Sequence, residues 1–100
     1  MRPWKWCPDE KCWIRLADNH APLARVRPPQ PGRSMANCTV YLPSGVVGLN
    51  TGDLQSGARW CDERLVEANY KLRLTPTPIA KDEMHLGFSW LWLHTKPSRV

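Results

Sequence analysis

One hundred residues with a formal charge of +5 and a pI near 9.3 make a basic chain with room for one small domain. Ten prolines and six glycines exclude long uninterrupted helices. The longest apolar run, LGFSWLWL at 86–93, is far short of the ~20 residues that cross a bilayer as a helix.

The first ten residues, MRPWKWCPDE, lack the apolar stretch of a secretory signal, and Asp9 and Glu10 do not suit a mitochondrial presequence. The expected setting is therefore cytoplasmic or otherwise intracellular and reducing, with free thiols. The same setting discounts Asn37-Cys38-Thr39 as a glycosylation site. A domain this short buries only about two-thirds of its unfolded surface. Extra stability would come from the four cysteines, a metal or a partner. Six tryptophans are more than so small a core easily hides, and exposed aromatics mark contact surfaces.

Along the chain, WCPDEKCW (6–13) comes first. Pro8 suits the first corner of a turn, Asp9-Glu10-Lys11 supply a polar tip, and Cys7 and Cys12 then face each other across a hairpin. A helix start is the competing reading, with Cys7 as N-cap, Pro8 at the first position and Asp9 and Glu10 in the first turn. The hairpin is preferred, because it makes Trp6 and Trp13 a cross-strand aromatic pair, and Cys12, Ile14 and Leu16 alternate as a strand requires. The whole Trp/Cys-rich element covers 1–20.

APLARVRPPQPGRS (21–34) carries five prolines or glycines and three arginines. It reads as a Pro/Arg-rich arm over 21–36 without regular structure. Its Arg25-Val26-Arg27-Pro28-Pro29-Gln30-Pro31 also has the spacing of a polyproline II ligand, a short and common pattern. NCTVYL (37–42) is a β-branched and aromatic run, turned by Pro43-Ser44-Gly45 so that VVGL (46–49) pairs back.

GARWCDERLVEAN (57–69) fits a helix. Leu54, Ala58, Cys61, Leu65 and Ala68 recur at helical steps, with Asp53 or Ser56 as cap and Asn69 at the exit. Tyr70, Leu72 and Leu74 then alternate with Asn69, Lys71, Arg73 and Thr75, which predicts a half-buried strand with a basic outer face. Pro76 and Pro78 end it. The last element, Met84 to His94, also has period two: Met84, Leu86, Phe88, Trp90 and Trp92 share one face. Residues 37–94 therefore read β-β-α-β-β, an α+β unit with one helix packed on a small antiparallel sheet, within a single domain over 1–100.

Several chemistries compete for the polar residues. Cys7 and Cys12 have the spacing of a metal half-site, and His20 and Cys38 are the nearest residues that would complete zinc coordination, with Cys61, His85 and His94 as further donors. Against zinc, no second close pair exists, and Cys38 and Cys61 fall where cysteine serves as a small buried hydrophobe. A Cys7–Cys12 disulfide would close too short a loop to stabilise much. No Gly-x-Ser-x-Gly, Walker or His-Glu-x-x-His pattern supports catalysis.

Arginine and tryptophan together suit nucleic acid or an acidic protein, although no RNP-like, Gly-x-x-Gly or basic-helix signature is present. The leading expectation is a small non-enzymatic interaction protein, an accessory subunit or a phage- or effector-type inhibitor. It would dock on a larger protein or nucleoprotein assembly. The candidate contacts are Trp4, Trp6, Trp13, Arg25, Arg27, Arg33, Lys71 and Arg73, with Trp90 and Trp92 mainly core. The alternatives are a zinc-stabilised nucleic-acid-binding module and a small cysteine-dependent enzyme.

Overall fold

The computed structural model describes residues 3–29, 33–84 and 86. Five strands come first: β1 Trp4–Cys7, β2 Cys12–Leu16, β3 Pro22–Arg27, β4 Ala36–Leu42 and β5 Gly45–Thr51. One helix, α1 Leu54–Glu67, follows, and a single 3-10 turn spans Lys81–Glu83. All strand pairs are antiparallel, and spatial order equals chain order, β1-β2-β3-β4-β5. Among the described residues the fold is α+β: one antiparallel sheet with one helix, α1, on one of its faces.

The N-terminal hairpin forms in the expected register. Trp6 lies opposite Trp13 and Cys7 opposite Cys12. The indoles of Trp6 and Trp13 meet edge to face at 4.7 Å between centroids, the geometry that the aromatic quadrupole favours. Lys11 closes the turn with a φ of 56°. The strands at 37–42 and 46–49 also form, each slightly longer than the sequence suggests. Pro43-Ser44 link them, and Gly45 takes a φ of +138°, where a side chain would be strained.

The segment expected as an irregular arm is corrected by the structure. Residues Pro22–Arg27 are the central strand of the sheet, and Leu23, Ala24 and Val26 are buried. Pro22 stands at the first position of the strand, where a missing amide is tolerated, and Pro28-Pro29 follow its last residue. The prolines therefore bracket the strand.

Parity decides which side chains form the core. Ala24 pairs with Val40, Val26 with Cys38, and Trp13 with Val26. Together with Trp4 and Ala36 these residues face the helix, and each is fully buried. Helix α1 answers with Leu54, Ala58, Cys61 and Leu65, the expected stripe, and Ile79 closes the core from the trailing segment. Asp53 caps the helix, its side chain accepting from the Gln55 amide at 3.2 Å. Gly57 sits where helix and sheet touch: a Cβ there would lie 2.5 Å from Cys38 Sγ and 2.9 Å from Thr51 Cγ2.

The exit of α1 explains a second departure. Asn69 adopts a φ of 73°; its amide donates to the Val66 carbonyl, and the Tyr70 amide donates to that of Leu65. This left-handed cap turns the chain aside. Tyr70 and Leu72 then pack against the core while Lys71 and Arg73 stay exposed, but Leu74, expected on the buried face, is 47% exposed. Tyr70–Leu74 form no strand, because the chain leaves the cap without meeting a sheet edge.

Further on, Gln55 holds Ile79 by two hydrogen bonds: its Nε2 donates to the Ile79 carbonyl at 2.6 Å, and its Oε1 accepts from the Ile79 amide at 3.0 Å. Met84 ends the 3-10 turn with helical dihedrals, and Leu86 is also helical, so the expected strand does not start at Met84. The remainder of that expected strand, with His85, Trp90, Trp92 and His94, lies outside the described residues. Among the described residues no helix is long and apolar enough to cross a membrane.

Candidate interaction face

The helix covers one face of the sheet, and the strand registers define what the other face carries. It bears Lys5 and Cys7 from β1, Cys12 and Ile14 from β2, and Arg25 and Arg27 from β3. Strands β4 and β5 add Asn37, Thr39, Tyr41, Val46, Gly48 and Asn50. Arg25 is held from two sides. Its Nε donates to Glu10 Oε1 at 2.9 Å, and its guanidinium lies 5.3 Å from the Tyr41 ring centroid. The tip of the N-terminal hairpin is thereby folded over β3, since Glu10 belongs to its turn.

Next to this pair, Arg27, Pro28, Arg33, Met35, Asn37 and Asn50 border an open cleft of about 750 Å³. Asn37 donates to Asn50 Oδ1 at 3.0 Å, which fixes two amide groups on the cleft wall. A second groove of about 490 Å³ lies at the opposite end of β1 and β2, with Lys5, Arg15, Asp18, His20, Lys71 and Arg73 among its lining residues. Arg15 is committed inward: its Nη1 reaches Asp62 Oδ2 at 3.4 Å, and both side chains are buried. Burial pushes the Asp62 carboxyl up to about 6, against the opposing pull of Arg15 and the Trp4 indole.

The eight candidate contact residues thus separate into three groups. Arg25, Arg27 and Arg33 share one region, with Arg25 neutralised by Glu10. Lys71 and Arg73 belong to the second groove, beside Lys5 and His20. The tryptophans differ from expectation: Trp4 and Trp13 are fully buried and Trp6 is half-buried. Their parity places all three on the covered face, where α1 and its Asp62 take up Trp4.

The candidate metal donors are also dispersed. Cys7 and Cys12 sit together at the turn end of β1 and β2. His20 is exposed in the turn at the other end of β2, with a φ of 67°. Cys38 faces the opposite side of the sheet, beside the Cys61 thiol. Among the described residues no group of three or more His, Cys, Asp or Glu side chains gathers at metal-binding distance. The thiols are free. Burial pushes Cys12 up to about 11. The neighbouring Cys38 thiol and burial together push Cys61 upward as well. Neither thiol is thereby made a ready nucleophile.

Sequence reasoning missed Lys5, Glu10 and Tyr41 as parts of the basic face. For Lys5 and Tyr41 the signal was the strand parity that they share with Arg25 and Arg27; Glu10, in the hairpin turn, carried none. The chain matches no family model, and no curated protein or solved structure matches it either.

Proposed function

We propose that this chain is a small non-enzymatic interaction protein, of the accessory-subunit or phage- or effector-inhibitor kind. It docks on a larger protein or nucleoprotein assembly through the face of its sheet opposite α1. The observation that carries the reading is the concentration of Arg25, Arg27, Arg33, Lys5 and Tyr41 around that one face. An acidic protein surface or a phosphate backbone complements such a face: arginine supplies bidentate donors, tyrosine a stacking plane, and the fixed amides of Asn37 and Asn50 a polar rim. The tryptophans support it from beneath, because the Trp6–Trp13 pair stiffens the hairpin that carries Glu10 over Arg25.

The test is retention of partners from cell lysate at physiological salt by wild type and by the chain with Arg25, Arg27 and Arg33 changed to glutamine. Wild type should retain a partner whose binding weakens with added salt, and the triple variant should lose most of it. Equal retention by the two chains would remove the face from the reading. Nuclease treatment separates the two kinds of assembly: loss of the retained material assigns the contact to nucleic acid, persistence to protein.

A further inference from the structure

Strand β5 is an edge without the usual protections. Natural edge strands are shielded by charges, proline, bulges or short length, because their outer backbone groups are a template for another strand. Residues Gly45–Thr51 have none of these. The stretch contains no charged residue and no proline, and its seven-pair register with β4 runs without a shift. Among the described residues no strand pairs with its outer side. The opposite edge differs: β1 is four residues long and carries Lys5, and its Trp4 is locked under α1.

The exposed side chains of β5 are apolar. Val46 is 66% exposed, and Val47 and Leu49 are each 38% exposed. Val47 and Leu49 lie on the helix side of the sheet, as partners of Val40 and Cys38, yet α1 covers them only in part. Val46 lies on the open face opposite Tyr41.

We infer that β5 is a self-pairing edge, and that its partner is β5 of a second copy of this chain, antiparallel about a two-fold axis at Gly48. The sequence GVVGLNT is self-complementary in that register. Val47 falls opposite Leu49 of the second copy on the helix side, and Leu49 opposite Val47, so the half-exposed apolar pair of each protomer is completed by the other. Val46 falls opposite Asn50 on the open face. Gly48 meets Gly48 at the axis, where the absence of side chains lets the backbones close.

Charge favours the arrangement. In a chain of net charge +5, residues 44–52 are uncharged, so two copies approach there without facing like charges. An isologous contact of this kind is closed and makes a dimer with no filament. The two sheets become one of ten strands, and the basic faces of both protomers lie on the same side. The inference is independent of which partner that face takes. A seven-residue seam is small among stable interfaces, so the dimer is concentration-dependent.

Sedimentation of the full chain over a wide concentration range, together with hydrogen exchange of the β5 amides, tests it. Expected is a monomer–dimer equilibrium, with β5 protection that rises with protein concentration. Val47→Lys places two like charges diagonally across the seam and should give a monomer with an unchanged circular-dichroism spectrum. Val46→Lys, at the most exposed position, is the second variant should the first lose its fold, and it should weaken dimerisation in the same direction. A wild-type monomer at every concentration overturns the inference. So does a dimer that survives both substitutions. Concentration-independent protection of β5 in a monomer also overturns it, and assigns the edge to another part of the same chain.

Discussion

The indole N–H of Trp4 donates to Asp62 Oδ1 at 3.1 Å, joining the first strand to the helix across 58 residues of sequence. Arg15 reaches the other carboxylate oxygen, and all three side chains are buried. This is the polar fastening of an otherwise apolar interface, and its titration is visible from outside. The Asp62 carboxyl stands at about 6 when folded, against ~3.9 in an unfolded chain. The folded state therefore holds this proton more tightly. The contribution of Asp62 is greatest below pH ~4, declines as the pH rises to about 6, and is flat above. The expected decline is on the order of 3 kcal/mol. Urea unfolding from pH 4 to 7 measures it. Asp62→Asn, which like the protonated carboxyl carries no charge, should flatten that portion of the curve and hold stability at pH 7 near the level that the wild type reaches at low pH.

Two buried tryptophans should respond differently to the same substitution. Trp4→Phe removes a buried donor and leaves Asp62 with one fewer partner, so it costs the lost volume plus ~1–3 kcal/mol for the unmade bond. Among the described residues Trp13 Nε1 has no acceptor. Trp13→Phe therefore costs little beyond packing and the edge-to-face contact with Trp6. Equilibrium denaturation of the two variants should rank Trp4→Phe as the more damaging; the reverse order would deny the Asp62 bond its importance.

Gly57→Ala sets intrinsic propensity against packing. Alanine favours a helix interior by ~1 kcal/mol over glycine. The new methyl group, however, enters the space of Cys38 Sγ and Thr51 Cγ2, and overpacking of that kind costs ~1–3 kcal/mol. The net effect should be destabilising. Cys38→Ala in the same chain should recover part of the loss, so a thermodynamic cycle with a favourable coupling between positions 38 and 57 is the expected result.

Thiol labelling should follow burial rather than count. Cys7 is only half-buried, whereas Cys12, Cys38 and Cys61 are fully buried, and Cys12 and Cys61 are also shifted upward. Alkylation of the native chain at pH 8, followed by mass spectrometry, should modify Cys7 first. The other three should react at rates set by unfolding. Rapid modification of Cys12 would mean that the open face is looser at the hairpin end than its packing implies.

Local chemistry explains what was legible in the sequence. The N-terminal hairpin could be read because a turn-forming tetrapeptide lies between two mirrored Trp-Cys pairs. The helix was announced by Asp53 and by a stripe through Leu54, Ala58, Cys61 and Leu65. Strand β3 was hidden because four prolines lie within ten residues of sequence, and nothing local distinguishes prolines that bracket a strand from prolines that forbid one. The burial of Trp4 and Trp13 was hidden for another reason. Parity groups them on one face, but which face is covered depends on a helix some fifty residues later. Tyr70–Leu74 alternates like a strand, yet strandness needs a neighbour, and the cap at Asn69 steers the chain away from one.

The meander order of the sheet has a consequence for how the chain comes into being. Each strand pairs only with its sequence neighbours, so the sheet closes through short loops, and such local topologies form quickly. The covering helix is made after all five strands. During synthesis from the N-terminus, β1 through β4 emerge before α1 does. For that interval Trp4, Trp13, Val26 and Val40 present a continuous oily surface to water. The nascent chain is therefore most vulnerable to misassociation in its middle age, and the arrival of Asp62 and Leu65 ends that exposure.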